Sequence, residues 1–171
     1  MSSAIFTSGN EAYQVSNIVY AGPVEEIPEE HRRNGSTHSF KIITGLGASF
    51  SYYKDAESAR KARGILGSML DTLKPNAFKR GNVFIDPSRI VSFSSTLQFK
   101  KPVGEYTHGV VVSIQCSDEK NREVWLRYKS EDHAEKGRKA LWAVVHSVNG
   151  MSKASAAKPV ETTVTAEAVP F

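Results

Sequence analysis

Between residues 16 and 150, hydrophobic positions switch twice from a period of two to a period of three to four. Alternating or continuous runs of Val, Ile, Phe, Tyr and Thr, bounded by Gly, Pro, Asn and Asp, predict strands over 16–21, 38–44 and 48–54. A second set is predicted over 83–85, 89–93, 95–100, 107–116 and 122–129. Each set leads into a helical pattern. Ala59, Ala62, Leu66, Met69 and Leu73 fall on one helical face, as do Ala134, Gly137, Leu141, Val144 and Val148. Asp55 and Ser130 stand where N-caps are needed, since their side-chain oxygens can accept from the first free helical N–H groups. Pro75 is the expected stop of the first helix and Gly150 of the second.

The two sets share sequence. Residues 53–66 and 128–141 align at an offset of 75, with Tyr53/Tyr128, Lys54/Lys129, Ala59/Ala134, Lys61/Lys136, Arg63/Arg138 and Leu66/Leu141 in common. Upstream, Ser16-Asn17-Ile18-Val19 matches Ser88-Arg89-Ile90-Val91 at a slightly different offset, as a changed loop length would produce. One supersecondary unit used twice is the expectation, with no longer array. The division expected is an α+β body over 1–150, with repeat one at 14–74 and repeat two at 83–150, and a flexible tail over 151–171. Residues 74–82 join the units, and 22–37, with its prolines and Asn34-Gly35, reads as a loop or long hairpin connection. Antiparallel strands backed by one helix, used twice about a pseudo-twofold axis, resemble the Whirly and transcriptional-coactivator folds. That resemblance implies a sheet face that binds single-stranded nucleic acid and helices that dimerise.

The composition, 40% hydrophobic and 23% charged, is that of a globular chain with enough apolar material for a core. The net charge of +4 admits an anionic partner without requiring one. A lone cysteine, Cys116, excludes an intramolecular disulfide and any multi-cysteine metal site, and its apolar surroundings suit a small buried hydrophobe. No apolar run approaches the roughly 18 residues of a membrane span. Met1 to Asn10 lacks the basic and apolar regions of a signal peptide, so a cytosolic protein that does not engage membranes is expected.

No catalytic constellation stands out. His31, His38, His108, His133 and His146 show no ligand spacing. Gly45-Leu46-Gly47 lacks the third glycine of a dinucleotide fingerprint and precedes a strand pattern. Glu25-Glu26 and Glu29-Glu30 sit in the Pro-containing connection, where an acidic surface accounts for them. The expectation is a non-enzymatic protein with no cofactor.

The last strand of each set carries a different kind of pattern. In Val124-Trp125-Leu126-Arg127-Tyr128-Lys129, alternation puts Val124, Leu126 and Tyr128 on a core face and Trp125, Arg127 and Lys129 on the other. The corresponding positions in the first set are Phe50, Tyr52 and Lys54. Rings beside cations suit single-stranded nucleic acid, because bases stack on rings while Lys and Arg neutralise phosphates. The other reading makes Trp125 and Phe50 the cover of a second packed layer. Arg32-Arg33, Lys79-Arg80 and Lys100-Lys101 are further basic clusters, with Lys79, Arg80, Lys100 and Lys101 as candidate contacts and the last two in a hairpin with Phe99, Tyr106 and His108; the other reading of each pair is a solvated loop. Arg60, Lys61 and Arg63 are read as salt-bridged helix surface.

The chain ends Ala168-Val169-Pro170-Phe171, after a stretch with no aromatic residue and no apolar periodicity. A terminal ring with its own carboxylate suits a small apolar pocket with a basic rim on another protein. It resembles the C-terminal tip of bacterial single-stranded DNA-binding proteins, which end in acidic residues followed by Ile-Pro-Phe. One acid, Glu167, stands here where that family has a run. Pro170 and Phe171 are therefore the candidate partner-binding residues; the alternative is that Phe171 only marks where a disordered tail stops. In size, β-rich body and tail, the chain is similar to the small phage single-stranded DNA-binding proteins of the Drc type, which serve as RNA polymerase cofactors. That resemblance implies a homo-oligomeric phage protein of the host cytoplasm, binding single-stranded DNA and recruiting a polymerase or replication protein through its tail. The rival is an oligomeric interaction or virion-associated protein whose aromatic stripe lies in a subunit interface.

Overall fold

The structure, a computed structural model, describes residues 4–116 and 120–154. The fold is α+β. The first half begins with a hairpin, β1 (Ile5–Ser8) and β2 (Glu11–Gln14), turned by Gly9-Asn10 with Gly9 at φ 59°. A single 3-10 turn over Val15–Asn17 leads into β3 (Ile18–Ala21), β4 (Glu25–Glu26), β5 (His38–Thr44), β6 (Gly47–Tyr53) and α1 (Ala56–Leu73). The second half begins with another hairpin, β7 (Phe78–Arg80) and β8 (Val83–Ile85), turned by Gly81-Asn82 with Gly81 also at φ 59°. A 3-10 turn over Pro87–Arg89 leads into β9 (Ile90–Phe93), β10 (Leu97–Val103), β11 (Tyr106–Gln115), β12 (Asn121–Tyr128) and α2 (Glu131–Ala154).

Pairing follows the same plan twice. β5 pairs antiparallel with β6 along its whole length, so β3 and β4 share its other edge. β11 likewise pairs with β12, while β9 and β10 share its other edge. The closing contacts recur too. Thr37 donates to the Lys54 carbonyl at 2.7 Å and Thr107 to the Lys129 carbonyl at 2.8 Å, each threonine also lying 2.8 Å from the Nδ1 of the following histidine. These bonds fix where the last strand ends and its helix begins.

Both helices start at their predicted caps. The Asp55 carboxylate accepts from Ser58 N–H at 2.7 Å, which holds its pKa below the usual carboxylate value. Ser130 Oγ accepts from His133 N–H at 3.3 Å. α1 stops at Leu73, just before Lys74-Pro75. α2 does not stop at Gly150 but continues to Ala154, because one glycine lowers helix propensity by only about 1 kcal/mol and does not terminate a long helix. The start of the expected tail, Met151 to Ala154, therefore belongs to α2.

Two other expectations change. The joining segment 74–82 contains β7, and residues 5–14 form the β1–β2 hairpin. β2 and β7 each hold a single large apolar residue, Tyr13 and Phe78, too little for a strand pattern to show. The connection 22–37 contains the short β4 and a 3-10 turn over Glu29–His31.

One core cluster packs Phe40, Ile42, Leu66, Leu70, Ile18, Val15 and Phe84 between the first sheet and α1, with Phe6 and Tyr13 of the first hairpin covering them. The other joins Val110, Val112, Ile114, Val124, Leu126 and Leu141 to Val19, Tyr20, Ile43 and Ile85. It therefore ties the second sheet and α2 to the β3–β8 end of the first sheet. Cys116 is buried in this cluster. Arg63 is not helix surface. It is 7% exposed and donates to three backbone carbonyls, those of Gly22 (2.8 Å), Ala21 (3.2 Å) and Asn82 (2.6 Å). Among the described residues, no helix is long and apolar enough to cross a membrane, and no cluster of His, Cys, Asp and Glu is arranged to hold a metal ion.

Candidate nucleic-acid interface

The predicted alternation in β12 sets the site. Val124 and Leu126 are buried, Trp125 is 45% exposed and Arg127 is exposed. In β6, Ser51 is buried while Phe50, at 42%, and Tyr52 are exposed. The rings therefore face outward in both halves, and neither Trp125 nor Phe50 is a core residue.

Trp125 and Phe50 line one groove of about 470 Å³. Arg127 and Glu123 flank Trp125, and Lys41, opposite Phe50 in the β5–β6 register, adds a cation from the other half. Arg80 enters from the end of β7, and Glu25 from β4. The groove thus carries an aromatic ring from each half, with three cations against two carboxylates. Each ring has an aromatic neighbour. Phe99 packs on Trp125 at a centroid separation of 5.6 Å, and Tyr52 lies 6.3 Å from Phe50. Lys41 Nζ sits 5.9 Å from the Phe50 centroid, and the Arg80 guanidinium 6.0 Å from that of Tyr128. Gly109 makes the Phe99 support possible, since a Cβ there would meet the Phe99 ring at 2.7 Å.

The cations are not idle in the free protein. Arg127 Nη1 is 2.8 Å from a Glu25 oxygen, Lys129 Nζ 2.8 Å from Glu105, and Lys79 Nζ 2.6 Å from Asp71. The bond to Glu105 raises the Lys129 pKa, so that ammonium is charged at neutral pH. Exposed pairs of this kind contribute between zero and about 1 kcal/mol, so a phosphate can displace the carboxylate at little cost. Tyr20, at the groove floor, has its pKa pushed up to about 12, chiefly by burial and then by Glu25, so it lines the site as a neutral phenol.

The structure brings together Phe50, Trp125, Arg127 and Arg80. Lys129 lines an adjoining depression of about 350 Å³ that shares Arg80, Tyr106 and Arg127 with the groove. Tyr52 and Lys54 are exposed on the same strand end but do not line the groove. Lys79 turns away from it, toward α1, in a third depression with Arg60, Arg63 and Asp71. Lys100 and Lys101 are exposed on β10, where the pairing with β11 is irregular between Gln98 and Val103. Pro170 and Phe171 lie outside the described residues. Sequence reasoning missed Lys41, Glu25 and Glu123. Lys41 had a signal, a lone cation inside the apolar Phe40–Ile43 stretch of β5, but its cross-strand neighbour Phe50 is visible only once the register is known.

No protein-family model matches the chain, and neither a curated protein nor a solved structure matches it.

Proposed function

We propose that this protein binds single-stranded DNA in the groove between its two halves, with no catalytic role. The observation that carries the reading is the meeting of Phe50 and Trp125, one from each half, in a groove with Lys41, Arg80 and Arg127. Unstacked bases lie on the two rings, and the cations neutralise the phosphates between them. A duplex offers no free base faces to those rings, so single strands are preferred. Within the same proposal, the Pro170-Phe171 tip recruits a second protein, a polymerase or another replication factor. The protein thus serves as a transcription or replication cofactor in the cytoplasm of a phage-infected host.

The test is a titration with single-stranded and duplex DNA of equal length at two salt concentrations. Single strands bind more tightly, and affinity falls steeply with salt as counterions are released. Equal or absent binding to both forms overturns the proposal. In a pull-down from host extract, deleting Phe171 removes the recruited protein while leaving DNA affinity unchanged. Retention of the same partners rules out the tail's role.

A further inference from the structure

Within the chain, the second hairpin covers the outer edge of the first sheet. β8 pairs with β3, Tyr20 opposite Ile85 and Ala21 opposite Phe84, and Asp86 N–H donates to the Val19 carbonyl at 2.9 Å. Arg63 locks the contact, bonding the Ala21 and Gly22 carbonyls of the strand and the Asn82 carbonyl of the hairpin turn.

Every part of that contact exists a second time. The strand counterpart of β3 is β9, that of the β7–β8 hairpin is the β1–β2 hairpin, and Gly9-Asn10 stands for Gly81-Asn82. The arginine counterpart is Arg138. The second contact is not made among the described residues. Among the described residues, β9 pairs only with β11, and β2 only with β1. Arg138, among the described residues, bonds the Glu135 carboxylate in place of a strand edge. Apolar surface is correspondingly uncovered at β9. Val91 is 52% exposed where its counterpart Val19 is 2% exposed, and Trp142, stacked edge-on to Phe93, is 55% exposed.

The free hairpin edge faces the right way. The Val15 N–H donates to the Ala4 carbonyl and Ser8 pairs with Glu11 across the turn, so alternation turns the Ala12 and Gln14 backbone groups away from β1. Those are the counterparts of Phe84 and Asp86, which reach β3.

We propose that β9 is covered by the β1–β2 hairpin of a second copy of this chain. The register follows from the contact already made: Ala12 opposite Phe93, Tyr13 opposite Ser92, and Gln14 N–H donating to the Val91 carbonyl. Arg138 leaves Glu135 and takes the Phe93 and Ser94 carbonyls together with that of Asn10 in the second copy. Each chain gives one hairpin and receives one, so a reciprocal exchange in a twofold dimer satisfies both sites, and head-to-tail repetition of the same contact gives a larger ring. The proposal does not depend on DNA binding.

Two measurements without nucleic acid test it. Light scattering at micromolar concentration gives a mass at least twice the 18.8 kDa of one chain. Val91→Lys, which places a charge on the edge, and Arg138→Ala each shift it toward one chain with an unchanged circular dichroism spectrum. Separately, a mixture of Gln14→Cys protein with Val91→Cys protein forms a mixed disulfide on mild oxidation. The two Cα atoms of such a pair stand about 5.5 Å apart, within disulfide range, and Cys116 is buried. A single-chain mass at all concentrations overturns the proposal. So does an assembly that forms no mixed disulfide and ignores both substitutions.

Discussion

The same strand edge has opposite surroundings in the two halves of this chain. Among the described residues, β3 is closed by β8 and held by a buried arginine, whereas β9 pairs on one edge alone, beside an arginine bonded to a neighbouring carboxylate. The sequences do not announce this difference, since Arg63 and Arg138 occupy matching positions in helices of the same pattern. What differs is chain connectivity. A hairpin follows the first half and folds back on it, whereas among the described residues none follows α2. Equivalent residues thus take a structural role in one half and remain available in the other.

Removing each arginine in turn separates the two halves most clearly. Arg63→Ala strands three carbonyls around a buried site, and each unsatisfied group costs about 1–3 kcal/mol. A loss of about 3 kcal/mol or more in urea unfolding is expected. Arg138→Ala leaves the unfolding midpoint of the dilute single chain near wild type, because its partner is a surface carboxylate. Equal losses from the two substitutions would mean that the halves are held alike.

A smaller effect comes from Asp86, which ends β8. Burial alone would raise its pKa, but the bond from Lys74 at 2.7 Å and those from Ser88 outweigh it and leave the value lowered. A carboxyl whose folded pKa is depressed adds stability above its unfolded value, near 3.9, and loses it as pH falls through the folded value. Acid therefore loosens the β8 contact below about pH 4. In Asp86→Asn, the share of acid destabilisation due to this group disappears, which urea midpoints at pH 3 and pH 6 will show. The corresponding hairpin position in the first half is Gln14, which carries no such dependence.

The smallest effect concerns the site itself. Gly109→Ala forces the Phe99 ring off β11 and so removes the support behind Trp125. A loss of a few-fold in single-strand affinity is expected, with no matching change for contacts made by Phe50. Unaltered affinity would show that Trp125 is held by other groups.

Much of this was legible in the chain. The α+β class, both caps, and the outward face carrying Trp125, Arg127, Phe50 and Tyr52 follow from alternation and turn chemistry, which are local. β8 was legible, but β1, β2 and β7 were not, since β2 and β7 each hold a single large apolar residue, Tyr13 and Phe78, too little for either hairpin to show. Nor was the burial of Arg63. An arginine among Arg60 and Lys61 on a helix reads as surface, and only the long-range approach of Ala21, Gly22 and Asn82 gives it partners. The same limit separated Lys79 from Arg80. Adjacent cations in a strand point to opposite faces, one to α1 and the other to the groove.

The proposed groove holds one strand of DNA on rings from both halves. Affinity for single-stranded DNA measured for Phe50→Ala, Trp125→Ala and the double variant tests it most directly. Each single substitution is expected to cost about 1–3 kcal/mol of binding, with folding unchanged because both rings are exposed. The double variant is expected to lose at least as much as the worse single one. Wild-type affinity in the folded double variant would contradict the account.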